Sequence, residues 1–170
     1  ADVGLVGFPN AGKSTFLNTV SSAKPKIADY PFTTLRPHLG TIKYSDNSFV
    51  IADIPGIIEG ASDGHGLGIK FLKHISRTGI LLFFLEAFSE ISVQDQFLKL
   101  KKELGDFSEK LLEKEFYIVV TKIDLIDEET RFETLNTFNA KEFANVFGIS
   151  SVTGEGVQEL LDDISRKIFI

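Results

Sequence analysis

The chain contains no cysteine and no methionine, is short of basic charge, and carries no long apolar run. Without cysteine there is no disulfide framework, although that absence does not fix a compartment. No stretch approaches the roughly 18 consecutive apolar residues of a membrane span, and no secretory leader precedes the first apolar run, so the expectation is a soluble cytoplasmic domain. Lys and Arg number 18 against 24 Asp and Glu, a net charge of −6, which argues against a broad nucleic-acid-binding face. Contact with RNA would have to be local: Lys24 and Lys26, Lys70 and Lys73, and Arg77 are scattered enough to be solvated surface. Methionine is missing even at position 1, and a buried-looking strand begins by Val3, which predicts a piece of a longer protein.

What is present suits one globular domain over 1–170, expected to be monomeric by itself: 170 residues, 43% of them hydrophobic and 25% charged. Short apolar runs at Val3 to Val6, Leu39 to Tyr44, Phe49 to Ala52, Ile80 to Leu85, Phe116 to Val120 and Asn145 to Ile149 read as six strands. The runs from Ile80 and Phe116 lack alternation, as central parallel strands covered on both faces should. Between the strands, apolar residues recur at three- and four-residue spacing over Lys13 to Ser22, Gly68 to Arg77, Val93 to Leu112, Glu128 to Asn136 and Val157 to Ile168, which predicts helices. Strand and helix in alternation give an α/β fold, a doubly wound and mostly parallel six-stranded sheet flanked by helices. The sixteen phenylalanines are spread over these elements and read as core filler. Two segments should be loops at the carboxyl ends of strands: Ala23 to Pro37, with three prolines, and Ile57 to Gly68, with Gly60, Gly64, Gly66 and Gly68.

Between the first strand and the first helix stands Gly7-Phe8-Pro9-Asn10-Ala11-Gly12-Lys13-Ser14, followed by Thr15: a Gly-x-x-x-x-Gly-Lys-Ser loop in a strand–loop–helix context. A diphosphate needs many N–H donors in a small space, and glycine lets the backbone curl around it while the helix turns its positive end inward. Lys13 then supplies charge to the β- and γ-phosphates, and the Ser14 hydroxyl is a ligand for Mg²⁺. An ordinary glycine-containing turn is the plainer alternative, but it does not require this context. The pattern implies binding of a nucleoside triphosphate.

Asp53-Ile54-Pro55-Gly56 ends the Phe49 to Ala52 strand 40 residues after Lys13, placing a carboxylate where it can hold Mg²⁺ through water and an N–H of Gly56 near a γ-phosphate. Alone it would be a turn. Thr121-Lys122-Ile123-Asp124 follows the Phe116 strand and bears on the base. Guanine shows adjacent donors at N1 and N2 that one carboxylate, Asp124, can accept as a fork, while adenine offers no such pair. The Lys122 stem can shield the ring face. Ser150-Ser151-Val152, 26 residues beyond Asp124, can give a backbone N–H to the guanine O6 and a hydroxyl to brace Asp124.

With these elements in order the chain resembles the translation-factor class of small GTPase domains. Ala23 to Pro37, with Tyr30-Pro31-Phe32-Thr33-Thr34-Leu35-Arg36-Pro37, and Ile58-Glu59-Gly60-Ala61 with Gly66-Leu67-Gly68 and Phe71-Leu72-Lys73-His74, look like the two switch regions of the Obg family of ribosome-associated GTPases. The resemblance implies that Thr34 binds Mg²⁺ and touches the γ-phosphate, with Phe32 to Arg36 as the first switch and Thr33 the competitor for that role. It further implies a large ribosomal subunit partner, a glycine-rich N-terminal domain outside this chain, and a role in ribosome maturation or stress signalling. Two departures stand out. Thr121 occupies the place where the class has Asn, which implies a weaker link to the phosphate loop, although a hydroxyl can still hydrogen-bond there. Glu86 ends the Ile80 strand where Asp is more usual, with no role the sequence reveals.

Phosphoryl transfer to water needs charge neutralisation, from Lys13, Mg²⁺ and backbone N–H groups, and an aligned nucleophile. Where many GTPases place a water-orienting Gln, this chain has Ile57, so hydrolysis of GTP to GDP should be slow without a group in trans or a monovalent cation. Asn10 either coordinates K⁺, as an Asn at this position does in related potassium-dependent GTPases, or hydrogen-bonds within the loop. His38, His65, His74 and Glu59 read as surface or structural groups, since this chemistry needs little base assistance. The leading expectation is a timed GTPase switch. A guanine-nucleotide or alarmone sensing module with negligible turnover is the alternative, and an adenine-nucleotide enzyme a distant third.

Overall fold

The computed structural model describes residues 1–27, 37–53, 78–139 and 145–169. The Gly68 to Arg77 helix expected from the sequence, most of the loop 23–37 and all of the loop 57–68 lie outside these residues.

Every position of β1 (Val3–Gly7) is buried, and the strand lies in the middle of a seven-stranded sheet. The order is β2 (Lys26–Ile27), β3 (His38–Tyr44), β4 (Asn47–Asp53), β1, β5 (Ile80–Glu86), β6 (Glu115–Thr121), β7 (Val146–Gly148). β4, β1, β5, β6 and β7 are parallel, whereas β3 runs antiparallel to both β2 and β4. The fold class is therefore as the sequence predicted, a mostly parallel doubly wound sheet, with a seventh strand in place of six. The added strand is two exposed residues paired to Leu39 and His38 at the sheet edge, held by backbone hydrogen bonds and carrying no apolar signature.

Unbroken apolar strands follow from covering both sheet faces. Along β5 alternate residues point to opposite sides. Ile80, Leu82 and Phe84 join a core with Phe16 and Leu17 of α1 (Lys13–Val20) and Leu160, Leu161 and Ile164 of α4 (Val157–Phe169). Leu81, Phe83 and Leu85 join a second core with Phe97, Leu100 and Leu104 of α2 (Val93–Phe107) and Phe138 of α3 (Glu128–Asn139). Phenylalanines lock both layers edge to face, Phe16 on Phe84 at 5.1 Å and Phe83 on Phe97 at 5.2 Å between centroids. Phe88 and Phe132 depart from the core-filler reading, at 65% and 67% exposed.

The helix expected over Val93 to Leu112 is broken. α2 ends at Phe107, Ser108 is extended (φ −163°, ψ 120°), and a 3₁₀ turn spans Glu109–Glu113. The chain folds back so that Leu112 packs on Gly105, where a Cβ would come within 2.9 Å of its Cδ1. The apolar periodicity runs on through the break because both pieces face the same core. α1 likewise stops at Val20, two residues before the expected end, and Ser21 closes it by donating its hydroxyl to the Leu17 carbonyl.

Deep on the α4 side, the Tyr117 hydroxyl donates to Asp163. Burial and that carboxylate push the phenol well above its ordinary range, keeping it neutral.

Candidate functional site

A parallel sheet presents the carboxyl ends of its strands along one edge, and the strand order reverses about β1, so the crevice opens at the loop that follows β1. Gly7 to Ser14 leave β1 there. Asp53 ends β4, Glu86 ends β5, Thr121 ends β6, and Ser150 follows β7 by two residues. Motifs far apart in sequence thus meet at one rim.

The phosphate loop turns into α1 at Gly12, which caps the helix in the left-handed region (φ 91°) and offers no side chain to the helix N-terminus. Nor is there an acidic residue in the first turn. The N-terminal N–H groups of any helix lack intrahelical partners, and here nothing from the cap side chain satisfies them, an arrangement made for an anion. Among the loop amides, Ala11 donates to the Phe8 carbonyl at 3.0 Å, closing the curl. Phe8 is half-buried, while Pro9 and Asn10 are exposed on the rim.

Lys13 is nearly buried, and its Nζ lies 3.4 Å from Oδ1 of Asp53. The Ser14 hydroxyl donates to Oδ2 of the same carboxylate at 3.2 Å. Asp53 therefore ties together the two side chains that the sequence assigned to phosphate and metal. Its Oδ1, though buried, accepts no hydrogen bond among the described residues. A hard-oxygen pair of one carboxylate and one hydroxyl fits Mg²⁺, which keeps water and phosphate oxygens in its shell. Among the described residues no group of three His, Cys, Asp or Glu side chains comes together. Thr15 is exposed on the first turn of α1.

At the other end of the crevice the base motif is fastened to the phosphate loop. Thr121 is buried, and its hydroxyl donates to the Ala11 carbonyl at 2.8 Å. As the sequence allowed, the hydroxyl makes the link that asparagine makes elsewhere in the class. Lys122 takes a left-handed backbone (φ 61°), from which its Nζ reaches the Asn10 carbonyl at 2.7 Å and pairs with the Glu86 carboxylate. Its stem runs along Gly12, with Cε 4.0 Å from where a Cβ on that glycine would stand. Ile123 is buried beneath, and Asp124 sits half-buried in the short 3₁₀ turn Ile123–Leu125.

The last motif lies just beyond β7. Ser150 is fully buried, its amide donates to the Glu155 carbonyl at 2.9 Å, and its hydroxyl accepts from the Thr153 amide at 3.1 Å. It shapes the turn, and among the described residues it makes no bond to Asp124. Ser151 and Val152 follow, with side chains half-buried and exposed.

Phe32, Thr33, Thr34, Leu35, Arg36, Ile54, Pro55, Gly56 and Ile57 lie outside the described residues, as do Glu59, His65 and His74. The structure brings together Gly7 to Ser14, Asp53 and Thr121 to Asp124, and it adds Glu86 and the backbone clamp of Gln96, which the sequence did not reveal. No short-range signal marks them, because the Glu86–Lys122 pair spans 36 residues.

A glycine loop opening a helix at the switch point of a parallel sheet, with a buried Lys and Asp and the Ser14 hydroxyl joined behind it, defines a P-loop nucleotide-binding domain. Solved structures agree on the fold: the G domain of the FeoB iron transporter of T. maritima covers 96% of both chains (TM-score 0.64, 23% identity), and Era of Aquifex aeolicus superposes over 95% of this chain and 55% of its own (TM-score 0.66, 22%). The family model of 50S ribosome-binding GTPases matches residues 2–122, and the chain belongs to that family. Within it, the relatives called GTPase Obg of Chloroherpeton thalassium and Parabacteroides distasonis are each 54% identical over 99% of the chain. The chain covers 49% and 43% of those two proteins and spans about half the length of the curated relatives it matches. The Obg resemblance read from the switch sequences is thereby borne out for the G domain, and the chain is a GTPase domain. Among its described residues no helix is long and apolar enough to cross a membrane.

Proposed function

We propose that the chain is the switch domain of a slow GTPase that acts on the large ribosomal subunit. The observation that carries the guanine reading is the pair of bonds from the base motif to the phosphate loop, Thr121 to the Ala11 carbonyl and Lys122 to the Asn10 carbonyl. They set Asp124 at a fixed reach from the phosphate cradle, so one nucleotide engages both. Asp124 accepts the N1 and N2 donors of guanine, the Lys122 stem covers the ring face, and a Ser151 or Val152 amide meets O6. Lys13 and the amides of Gly12 to Thr15 hold the β- and γ-phosphates.

Ser14, and Asp53 through water, would hold Mg²⁺, with Thr34 joining in the triphosphate state. Mg²⁺ bound there would supply positive charge to the phosphate groups. Gly56 gives its amide to the γ-phosphate, and the segments around Thr34 and Gly56 form the switch. Ile57 cannot orient water, which supports slow turnover by the isolated domain and leaves room for K⁺ held at Asn10. The Asn10 side chain is exposed at the crevice rim and its carbonyl is taken by Lys122, so its amide group is the part available to a cation. A monomeric state for the domain, a cytoplasmic setting and a role in subunit assembly or stress signalling belong to the same reading.

Single-turnover hydrolysis of GTP, with and without large ribosomal subunits and in K⁺ against Na⁺ at matched ionic strength, tests it. Slow hydrolysis accelerated by subunits is expected, with a further gain in K⁺. Inertness under every condition would instead favour a guanine-nucleotide or alarmone sensing module, the second reading that Ile57 keeps open.

A further inference from the structure

We propose that Glu86 is a positioning residue for guanine-nucleotide binding, holding the Lys122 ammonium against the phosphate loop so that the lysine stem forms a fixed wall for the base. The inference rests on the nucleotide reading above and assigns a residue that reading leaves without a role.

Glu86 is the last residue of β5, on the sheet edge where the crevice opens. Its backbone is clamped from both sides by one buried side chain. The Glu86 amide donates to Oε1 of Gln96 at 2.8 Å, and Nε2 of Gln96 donates to the Glu86 carbonyl at 3.0 Å and to the Ile91 carbonyl at 2.8 Å. Gln96 is 3% exposed and lies in the first turn of α2, whose start is fixed by Ser92 accepting from the Asp95 amide. The Cα of Glu86 therefore has little freedom, and its carboxylate is delivered to Lys122.

Lys122 needs such a partner. Its backbone is left-handed, a conformation that disfavours side chains with a Cβ, and its long stem carries large rotamer freedom. An unpinned ammonium next to a phosphate site would be drawn toward phosphate or water, opening the place where a purine face must rest. Two fixed acceptors, the Glu86 carboxylate and the Asn10 carbonyl, instead leave the stem lying across Gly12. The pair is partly shielded, with side chains 35% and 22% exposed, so it retains more strength than an open surface pair. An aspartate would withdraw the carboxylate by about one C–C bond, roughly 1.5 Å.

The test is a double-mutant cycle on the affinity for GDP and for IDP, which lacks the 2-amino group, by fluorescence titration of the chain. Glu86→Ala should weaken GDP by about fivefold to tenfold, from loss of a charged hydrogen bond in a half-exposed setting. IDP should lose the same factor, because Glu86 acts through the ring face and not through the base edge. The double variant Glu86→Ala with Lys122→Ala should bind no more weakly than Lys122→Ala alone. Glu86→Gln, which keeps the shape and one acceptor oxygen, should recover part of the loss and guards against a folding defect in the alanine variant. A GDP affinity unmoved by Glu86→Ala, or a loss that adds in full to that of Lys122→Ala, overturns the inference while the parent chain still binds GDP. Failure of the parent chain to bind GDP overturns the nucleotide reading itself and the inference with it.

Discussion

The two ends of the crevice are built from different materials. At the phosphate end the donors are backbone amides at the start of α1, and the side chains that matter, Lys13 and Asp53, are buried to 10% and 6% exposure and bonded to each other. At the other end side chains reach across the fold, Thr121 and Lys122 to loop carbonyls and Glu86 to Lys122, and Asp124, the proposed reader of the base, is half-exposed. Backbone geometry tolerates changes of side chain but not a displaced glycine, whereas a side-chain network tolerates a replacement that keeps the right donor in reach. That difference explains how threonine can stand where the class has asparagine.

Lys13→Ala should have the largest effect, since it removes the buried positive charge of the phosphate end. Single-turnover GTP hydrolysis should fall about a hundredfold or more, as for loss of a preorganised transition-state contact. Asp124→Asn attacks the other end: the preference for GDP over ADP, read by competition against labelled GTP, should drop about tenfold or more while pyrophosphate binds as before. Should the amide variant keep its selectivity, the base end has been misassigned.

The contrast sharpens with two stability measurements. Gly12→Ala meets no close atom but forces an L side chain into the left-handed region, costing about 1–2 kcal/mol. A fall in Tm of roughly 2–8 °C is expected for a domain of this size. Thr121→Val deprives the buried Ala11 carbonyl of its donor and should cost about 1 kcal/mol, or roughly 2–4 °C, with Thr121→Asn restoring most of it. Equal Tm for parent and valine variant would mean that the link contributes nothing.

The smallest effect lies behind the base motif, where the Asp127 carboxylate accepts from the Thr130 amide at 2.7 Å at the start of α3. Hydrogen bonds from Thr130 hold its carboxyl below the usual range. A lowered folded-state value means that the stabilisation is present above the unfolded pKa of about 3.9 and is lost as pH falls through the folded value. Asp127→Asn still caps the helix but carries no charge, so its urea midpoint should fall slightly less than the parent's between pH 5 and pH 3. Parallel acid profiles would remove the assignment.

How far the sequence reveals this molecule depends on the kind of force involved. Central strands and the phosphate loop are legible because burial on both faces writes continuous apolar runs, and because diphosphate binding demands glycine and lysine at fixed spacing. β2 is illegible: Lys26 and Ile27 are exposed and paired only through backbone groups that every residue possesses. The break at Ser108 hides under an apolar periodicity that continues across it. Glu86 and Gln96 are invisible for a further reason, since a polar contact between residues distant in the chain leaves no local pattern.

The most direct test is a calorimetric titration of the chain, with Mg²⁺, by GDP, ADP and pyrophosphate in parallel. If the phosphate end supplies grip and the base end selection, GDP binds far more tightly than ADP, and ADP gains little over pyrophosphate. ADP binding as tightly as GDP would contradict the account.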